Sequence, residues 1–307
     1  MQNVFMNIEH VRALAAVVDE GTVEGGAFVL GITASATSQR IRALESRLGQ
    51  VLIRRTNPIT VTEAGEAVLK YAREIELLES ETIDRLHGLA IGADALAGPG
   101  PGPRPAPTLL RIGVNADSLS TWFRPVFAEV ASWDDIVIRI EVVDQDKALP
   151  LLTSGDVLGT VTSASRRGYG TRVERLGTMR YVAVATRGLA ERFGSGAEVD
   201  LRSMPMVKFG HDDDLQLDFL ARAGIAAAPP VSVVPSSWEF AHAVAAGVGW
   251  GLIPVMQLDR LEARSDLVRI TATPFADVPL YWHRWTLASE KLARLTAALH
   301  RAAATMS

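Results

Sequence analysis

The chain has 307 residues, enough for two or three domains, and 48% of them are hydrophobic against 21% charged, so it can bury large cores. A formal net charge of −4 excludes a polybasic or histone-like protein and confines any nucleic-acid site to a local patch. The absence of cysteine excludes a disulfide scaffold, a thiolate zinc or iron–sulfur centre and a cysteine nucleophile. Met1 to Glu9 lacks a basic stretch followed by an apolar one, and the longest apolar candidate, Val231 to Val255, contains Glu239 and His242. The expectation is a cytoplasmic protein without signal peptide or membrane span.

Ile8, Val11, Ala15 and Val18 recur at helical spacing and predict a first helix ended by Gly21. Thr22 can cap a second helix running to about Leu30 and stopped by Gly31. Thr33 can cap a third, whose buried side would be Thr37, Ile41, Leu44 and Leu48, closed by Gly49. Val51 to Val61 is short, β-branched and interrupted by Asn57-Pro58, the pattern of a small hairpin. From Thr62 a long helix begins, with Glu63 and Glu66 near its positive end. Val68, Tyr71, Ile75, Leu78 and Thr82 form a 3-4 heptad seam, continued by Leu86 and Leu89 after a one-residue slip, as in a helix that pairs with another helix. Gly98 to Pro107 alternates glycine with proline and reads as an exposed linker.

Beyond the linker, strands and helices alternate. Strands are predicted at Leu109–Val114, Ile136–Val143, Val157–Thr162, Met179–Ala185, Pro205–Phe209, Val231–Val234, Trp250–Ile253 and Leu280–Trp285. Helices are predicted at Ser118–Ser132, Lys147–Ser154, Asp214–Ala223, Ser237–Gly247 and Ser289–Ala304. This implies a mostly parallel α/β sheet, and the length of the region implies two subdomains.

Three short helices, a tight turn at Gly31-Ile32 and a following hairpin describe a winged helix-turn-helix. From Thr33 to Arg55 there are five arginines (Arg40, Arg42, Arg47, Arg54, Arg55) against Glu45 alone, while Thr62 to Gly98 holds three bases against eight acids. Positive charge thus gathers on the third helix and the hairpin, where phosphates would lie. The buried spacing leaves Thr33, Ala34, Ser35, Ser38, Gln39 and Arg42 on the outer face; glutamine can read adenine and arginine guanine, while Arg54 and Arg55 suit phosphates.

Thr-Ala-Ser-Ala-Thr-Ser-Gln-Arg-Ile-Arg-Ala-Leu-Glu at 33–45, then Leu48-Gly49, Leu52, Arg54-Arg55 and Thr62-Glu63-Ala64-Gly65, resemble the signature of LysR-type transcriptional regulators. The resemblance covers the whole chain and implies its organisation. Residues 1-61 would be an all-α winged helix-turn-helix with a small β wing, 62-97 a dimerisation helix and 98-107 a hinge. Residues 108-307 would be an α/β effector domain of two Rossmann-like, periplasmic-binding-protein-like subdomains, I at about 108-178 and 274-307, II at about 179-273. It further implies double-stranded DNA with a pseudo-palindromic operator, RNA polymerase as partner, and a homodimer assembling to a tetramer. Two departures stand out: Gly25-Gly26 replace better helix formers, and Ala34 replaces the usual Gln or Pro.

The second half resembles the branch of that family that regulates lysine and arginine export. The matching segments are 114–122, 141–146, 155–159, 209–214, Ser236-Ser237-Trp238-Glu239-Phe240 and Tyr281-Trp282-His283-Arg284. The resemblance implies L-lysine, L-arginine or L-histidine as effector and activation of an exporter gene. The residues also make chemical sense, because ligands bind beyond the carboxyl ends of strands in open α/β sheets. Asn115, Asp117, Ser118, Ser120 and Thr121 follow the first strand and begin a helix, a place suited to an α-carboxylate. Asp144 and Asp146 end the second strand and Asp212 and Asp213 a strand of the other subdomain, where carboxylates would meet cations; each could equally cap a helix. Ser236, Ser237 and Trp238 complete the candidate effector set. Gly247 to Gly251 reads as a helix-to-strand turn, not a dinucleotide loop, and His283 as a structural histidine.

No hydrolase elbow, phosphate loop or metal spacing occurs, so no enzyme, metal or cofactor is expected. Two rivals to the regulator remain at this point. One is a replication-origin or architectural DNA-binding protein using the same winged domain. The other is an amino-acid-binding protein or enzyme built on the α/β half.

Overall fold

A computed structural model describes residues 5–94, 106–143, 145–195, 198–226, 229–262 and 266–306. The N-terminal domain is built from α1 (Ile8–Glu20), α2 (Val23–Leu30), α3 (Ala34–Leu48) and a hairpin of β1 (Ile53–Arg54) and β2 (Thr60–Val61). Each helix starts on the expected cap: the side chains of Asn7, Thr22 and Thr33 accept from the backbone N–H of Glu9, Gly25 and Ala36. Leu14, Val17, Ile41, Leu44 and Leu52 form the core, closed from below by Leu69. The paired glycines of α2 have a packing reason. A Cβ on Gly26 would lie 2.7 Å from Val17 Cγ2 and 2.8 Å from Val17 N, so the helix-former that this position lacks would push α2 off α1. Gly31 closes α2 with φ 65°, the conformation that turns the chain into α3.

The long helix α4 (Glu63–Asp94) has two faces. Leu77 is buried in the core of the C-terminal domain, and Glu81 accepts from the Ser289 hydroxyl (2.5 Å) and the Lys291 N–H (3.0 Å). On the opposite face Tyr71, Leu78, Thr82 and Leu86 are exposed and Ile75 is half-buried. Val68, the first member of the predicted seam, faces elsewhere and is buried in the winged-domain core. The side chain of Leu89 and the Gly/Pro run up to Pro105 lie outside the described residues.

The C-terminal domain begins with β3 (Thr108–Val114), α5 (Ala116–Ser120), α6 (Arg124–Val130), β4 (Ile136–Val142), α7 (Gln145–Ser154), β5 (Gly159–Thr162) and β6 (Thr171–Thr186). It continues through α8 (Arg187–Arg192), β7 (Gly194–Ser195), β8 (Glu198–Val199), β9 (Met206–Lys208), α9 (Leu215–Arg222), β10 (Val231–Val233), α10 (Ser237–Ala245) and β11 (Gly251–Pro254). It ends with α11 (Val255–Glu262), β12 (Leu267–Arg269), β13 (Phe275–Trp285) and α12 (Glu290–Ala303). Among the described residues the main sheet runs β11-β6-β13-β5-β3-β4, with β12 also on β6.

Two expectations need correction. The sheet is mixed: β3 is parallel to β4 and β5, but β13 is antiparallel to β5 and β6, as are β11 and β12 to β6. The reason is that β6 and β13 are long strands running together from one half of the domain to the other. Tyr281–Trp285 pairs with Thr171–Arg175 beside β5, whereas Phe275–Leu280 pairs with Gly177–Val182 beside β11. The predicted single helix Ser118–Ser132 is two helices. Thr121 leaves helical geometry (φ −117°, ψ −101°), and Pro125 cannot donate back to its carbonyl. The break lets Trp122 and Phe123 both enter the core.

Candidate functional site

Two surfaces gather the candidate residues. On the winged domain, Thr33, Ser35, Gln39 and Arg42 are exposed along α3, and Arg54 and Arg55 are exposed on the hairpin. Ser38 is half-buried in a groove of about 320 Å³ between α3 and the hairpin, shared with Arg42, Arg55, Thr56 and Asn57. Thr33 spends its hydroxyl on the helix cap, so it contributes position rather than a free hydrogen-bonding group. Arg40 is drawn away from the face by Glu9 (3.1 Å). The result is a helix edge bearing Ser35, Gln39 and Arg42, flanked by two wing arginines. Such an edge can reach base edges while the wing takes phosphates.

The second surface is a cleft of about 840 Å³ between the two halves of the C-terminal domain. Asn115 and Asp117 wall it from the end of β3, and Asp212, Asp213 and Phe209 from the end of β9. Asn115 caps the short α5, its Oδ1 accepting from Ser118 N (2.7 Å), which aims Asp117 across the gap. Asp117 Oδ2 accepts from the Tyr181 hydroxyl (2.8 Å) and Oδ1 from the Ser237 hydroxyl (2.6 Å). Gln257 Nε2 donates to Ser237 Oγ and Ser120 Oγ, both at 2.8 Å. One carboxylate is thus held by hydroxyls from β6 and α10 of the other half. Burial pushes the Asp117 carboxyl above its ordinary value and the Asp213 charge adds to this, while the Ser237 and Tyr181 hydrogen bonds oppose it. Burial and the Asp117 charge push the Tyr181 phenol well up, so it stays a donor.

The remaining candidates are placed as follows. Ser118 is fully buried, and its hydroxyl has no partner among the described residues. Thr121 donates to the Asp117 carbonyl (2.5 Å). Asp213 ties the turn before α9, accepting from Phe209 N and Leu215 N, both at 3.1 Å, while the neighbouring Asp214 pairs with Lys208 (3.6 Å) and Asp212 is exposed at the rim. Ser236 is exposed, and Trp238 packs under Arg124, outside the cleft lining. Asp144 and the side chain of Asp146 lie outside the described residues. His283 is buried, and its Nε2 donates to the Ala164 carbonyl (2.6 Å), a packing role. Sequence reasoning missed Tyr181, Lys147, Phe209 and Gln257. The first three line the cleft and Gln257 lies behind it, but nothing in their local pattern distinguishes them from ordinary strand and helix residues.

Among the described residues six aspartates line the cleft (Asp117, Asp212, Asp213, Asp214, Asp218, Asp277) against Lys147 and Arg222. Two of the acids are answered by the chain itself: Asp277 by Arg180 (2.7 Å) and Asp214 by Lys208. The surplus favours a cationic occupant. Among the described residues no group of three His, Asp or Glu side chains could hold a metal ion, and no helix is long and apolar enough to cross a membrane.

Comparison with known proteins identifies both parts of the chain. The model for bacterial regulatory helix-turn-helix proteins of the lysR family matches residues 8–66, and that for the LysR substrate binding domain matches 104–305. The lysine export transcriptional regulatory protein LysG of Corynebacterium efficiens is 43% identical over 300 residues, covering 97% of this chain and 98% of that protein. Full-length LysG of Corynebacterium glutamicum with bound effector Arg superposes with a TM-score of 0.75 at 40% identity, covering 98% of this chain and 99% of that one. The crystal structure of ArgP from Mycobacterium tuberculosis gives 0.78 at 36% identity, with 96% of both chains covered.

Proposed function

Because this chain belongs to the LysR family of bacterial transcriptional regulators, we propose that it reads the level of a basic amino acid, L-lysine, L-arginine or L-histidine, and activates an exporter gene in response. The observation that carries the effector class is Asp117, a half-buried carboxylate held by Tyr181 and Ser237 at the wall of a cleft with an excess of acids. A carboxylate held by hydroxyls alone, with its burial only partly offset, is stabilised further by a ligand cation. The relatives named for lysine export, and the related structure with bound arginine, support the same class.

In this reading residues 1-61 bind a pseudo-palindromic operator in duplex DNA, 62-97 pair two chains, and 108-307 bind the effector. Ser35, Ser38, Gln39 and Arg42 face bases, Thr33 sets the register of their helix, and Arg54 and Arg55 face phosphates. The exposed stripe of Tyr71, Ile75, Leu78, Thr82 and Leu86 makes the dimer, and two dimers make a tetramer. Asn115, Asp117, Asp212 and Asp213 contact effector directly. Ser118, Ser120, Thr121, Ser236, Ser237 and Trp238 shape the helix ends around it, and Asp144 and Asp146 are further effector-binding candidates. Effector acts by its difference in affinity between two arrangements of the assembly, which present different surfaces to RNA polymerase. No chemistry, metal or cofactor is invoked, and the site of action is the cytoplasm. Calorimetric titration of the full chain with each of the twenty amino acids tests the reading. Arginine and lysine should bind, and a leucine or glutamate response equal to theirs refutes the effector class.

A further inference from the structure

Asp19, near the end of α1, divides its carboxylate between arginines from two other parts of the chain. Oδ1 meets Arg73 of α4, and Oδ2 accepts from Arg111 Nη2 of β3 at 2.7 Å. Both guanidinium side chains are largely buried, 6% and 13% exposed, and Arg73 also reaches Glu76 at 3.2 Å. Burial, and next the charge of Arg73, pulls the Arg111 guanidinium below its ordinary value. Among the described residues Arg111–Asp19 is the one ion pair running directly from the winged domain to the effector domain. The other ties leave from α4: Asp84 to Lys291 (2.6 Å) and Arg85 to Glu290 (2.6 Å). Arg111 also sits on the strand that becomes the cleft wall, since β3 ends at Val114 and Asn115 and Asp117 follow.

We propose that Asp19, Arg73 and Arg111 form a charge latch that docks the winged domain on the effector domain of its own chain, and that β3 links the state of the cleft to that latch. One carboxylate bridges two buried guanidinium groups, and Glu76 supplies the second negative charge of the cluster. Without Asp19 the two guanidiniums face each other with Glu76 alone to compensate, and the docked arrangement gives way to one in which Arg111 returns to water. The direct ion-pair contact between the two domains is therefore conditional on a single side chain. That is the kind of two-state element an effector can bias by shifting the end of β3.

The absence of cysteine in the chain makes the test clean, because spin labels attach only where cysteines are introduced. Labels at the exposed positions Ser46→Cys and Arg175→Cys, in full-length chains diluted with unlabelled protein, report the distance between the two domains by pulsed electron resonance. Asp19→Asn should raise the undocked-to-docked ratio by about tenfold or more, within the range that couplings between sites span. Arg111→Gln should move it the same way but less, since it removes the tie without leaving two guanidiniums opposed. Far-UV circular dichroism and melting of both variants should stay those of a folded protein. An unchanged distance distribution in both variants overturns the latch, as does a change in Asp19→Asn that appears only with loss of the helical signal while Arg111→Gln stays docked. A second arm rests on the functional reading above. Saturating arginine should shift the distribution of the unmutated chain, whereas Arg111→Gln should bind arginine within about twofold of the unmutated chain, an effect well under the 1.4 kcal/mol that a tenfold change represents, yet not respond. An equal arginine response in both overturns the link through β3. If arginine and lysine do not bind at all, the functional reading fails while the first arm still decides the latch.

Discussion

Replacing Asp117 by asparagine keeps the shape of the cleft wall and removes its charge. In the structure this carboxylate accepts from Tyr181 and Ser237 and sits where burial already disfavours ionisation. A bound cation would be its main electrostatic compensation, and truncating one partner of a buried, hydrogen-bonded charge pair costs about 2–5 kcal/mol. The cleft is open to solvent on one side, so the low end, about 2–3 kcal/mol, is expected, a loss of roughly 30- to 150-fold in affinity for arginine and lysine. Norleucine, which lacks the side-chain cation, should bind poorly to the unmutated chain and lose little more in the variant. The ligand-free protein should melt at the same temperature or a few degrees higher, because an unfavourable buried charge has gone. Calorimetry with arginine, lysine and norleucine, beside a thermal melt, separates lost recognition from lost folding. An asparagine variant that binds arginine within about threefold of the unmutated chain, well under one decade of affinity, would refute the assignment of Asp117 to the cation.

On DNA, Arg42→Ala and Gln39→Ala should lose discrimination between operator and random duplex, each base contact being worth about 1–3 kcal/mol, as read by competition binding. Arg54→Ala or Arg55→Ala should instead weaken all duplexes and reduce the salt slope by about one unit. Tyr71→Asp with Leu78→Asp should yield monomers by light scattering with the melting temperature retained, whereas Val68→Asp, placing a charge in the winged-domain core, should unfold that domain. Gly26→Val should destabilise the winged domain by about 1–3 kcal/mol in denaturant melts, since its first added carbon already meets Val17 at 2.7 Å. For pH the sign follows from the raised Asp117 carboxyl: the folded chain holds that proton more tightly than the unfolded one. This group's contribution to ligand-free stability therefore falls as pH rises above the ordinary carboxylate range, while arginine affinity, which needs the ionised form, weakens as pH is lowered and the raised carboxyl takes up its proton.

Local order was legible in the residues wherever a signal is confined to one or two turns. Caps at Thr22 and Thr33, stops at Gly21, Gly31 and Gly49, and the 3-4 spacing of Ile41, Leu44 and Leu48 define the winged domain from neighbours alone. The outer face of α3 followed from its buried face, because helical geometry relates the two. The long helix was legible as a helix, and its outward stripe at Tyr71, Leu78, Thr82 and Leu86 followed the predicted seam. Spacing could not tell that Val68 is spent inside the winged domain, since periodicity records which side is apolar and not which neighbour covers it.

What the tertiary structure decided lies in contacts between distant segments. The predicted strand begins at Met179, whereas β6 begins at Thr171, where its first residues pair with β13. Thr121 breaks a helix because Trp122 and Phe123 both have core to enter. Asp117 and Asp213 look alike in the sequence, yet one is held across the cleft by hydroxyls from Tyr181 and Ser237 and the other accepts from the backbone of the turn before α9. The role of a carboxylate depends on which groups fold against it, and those groups lie 64 and 120 residues away from Asp117. Chain order carries the pattern of each element, while the electrostatics of the cleft exist only once the two halves of the domain have met.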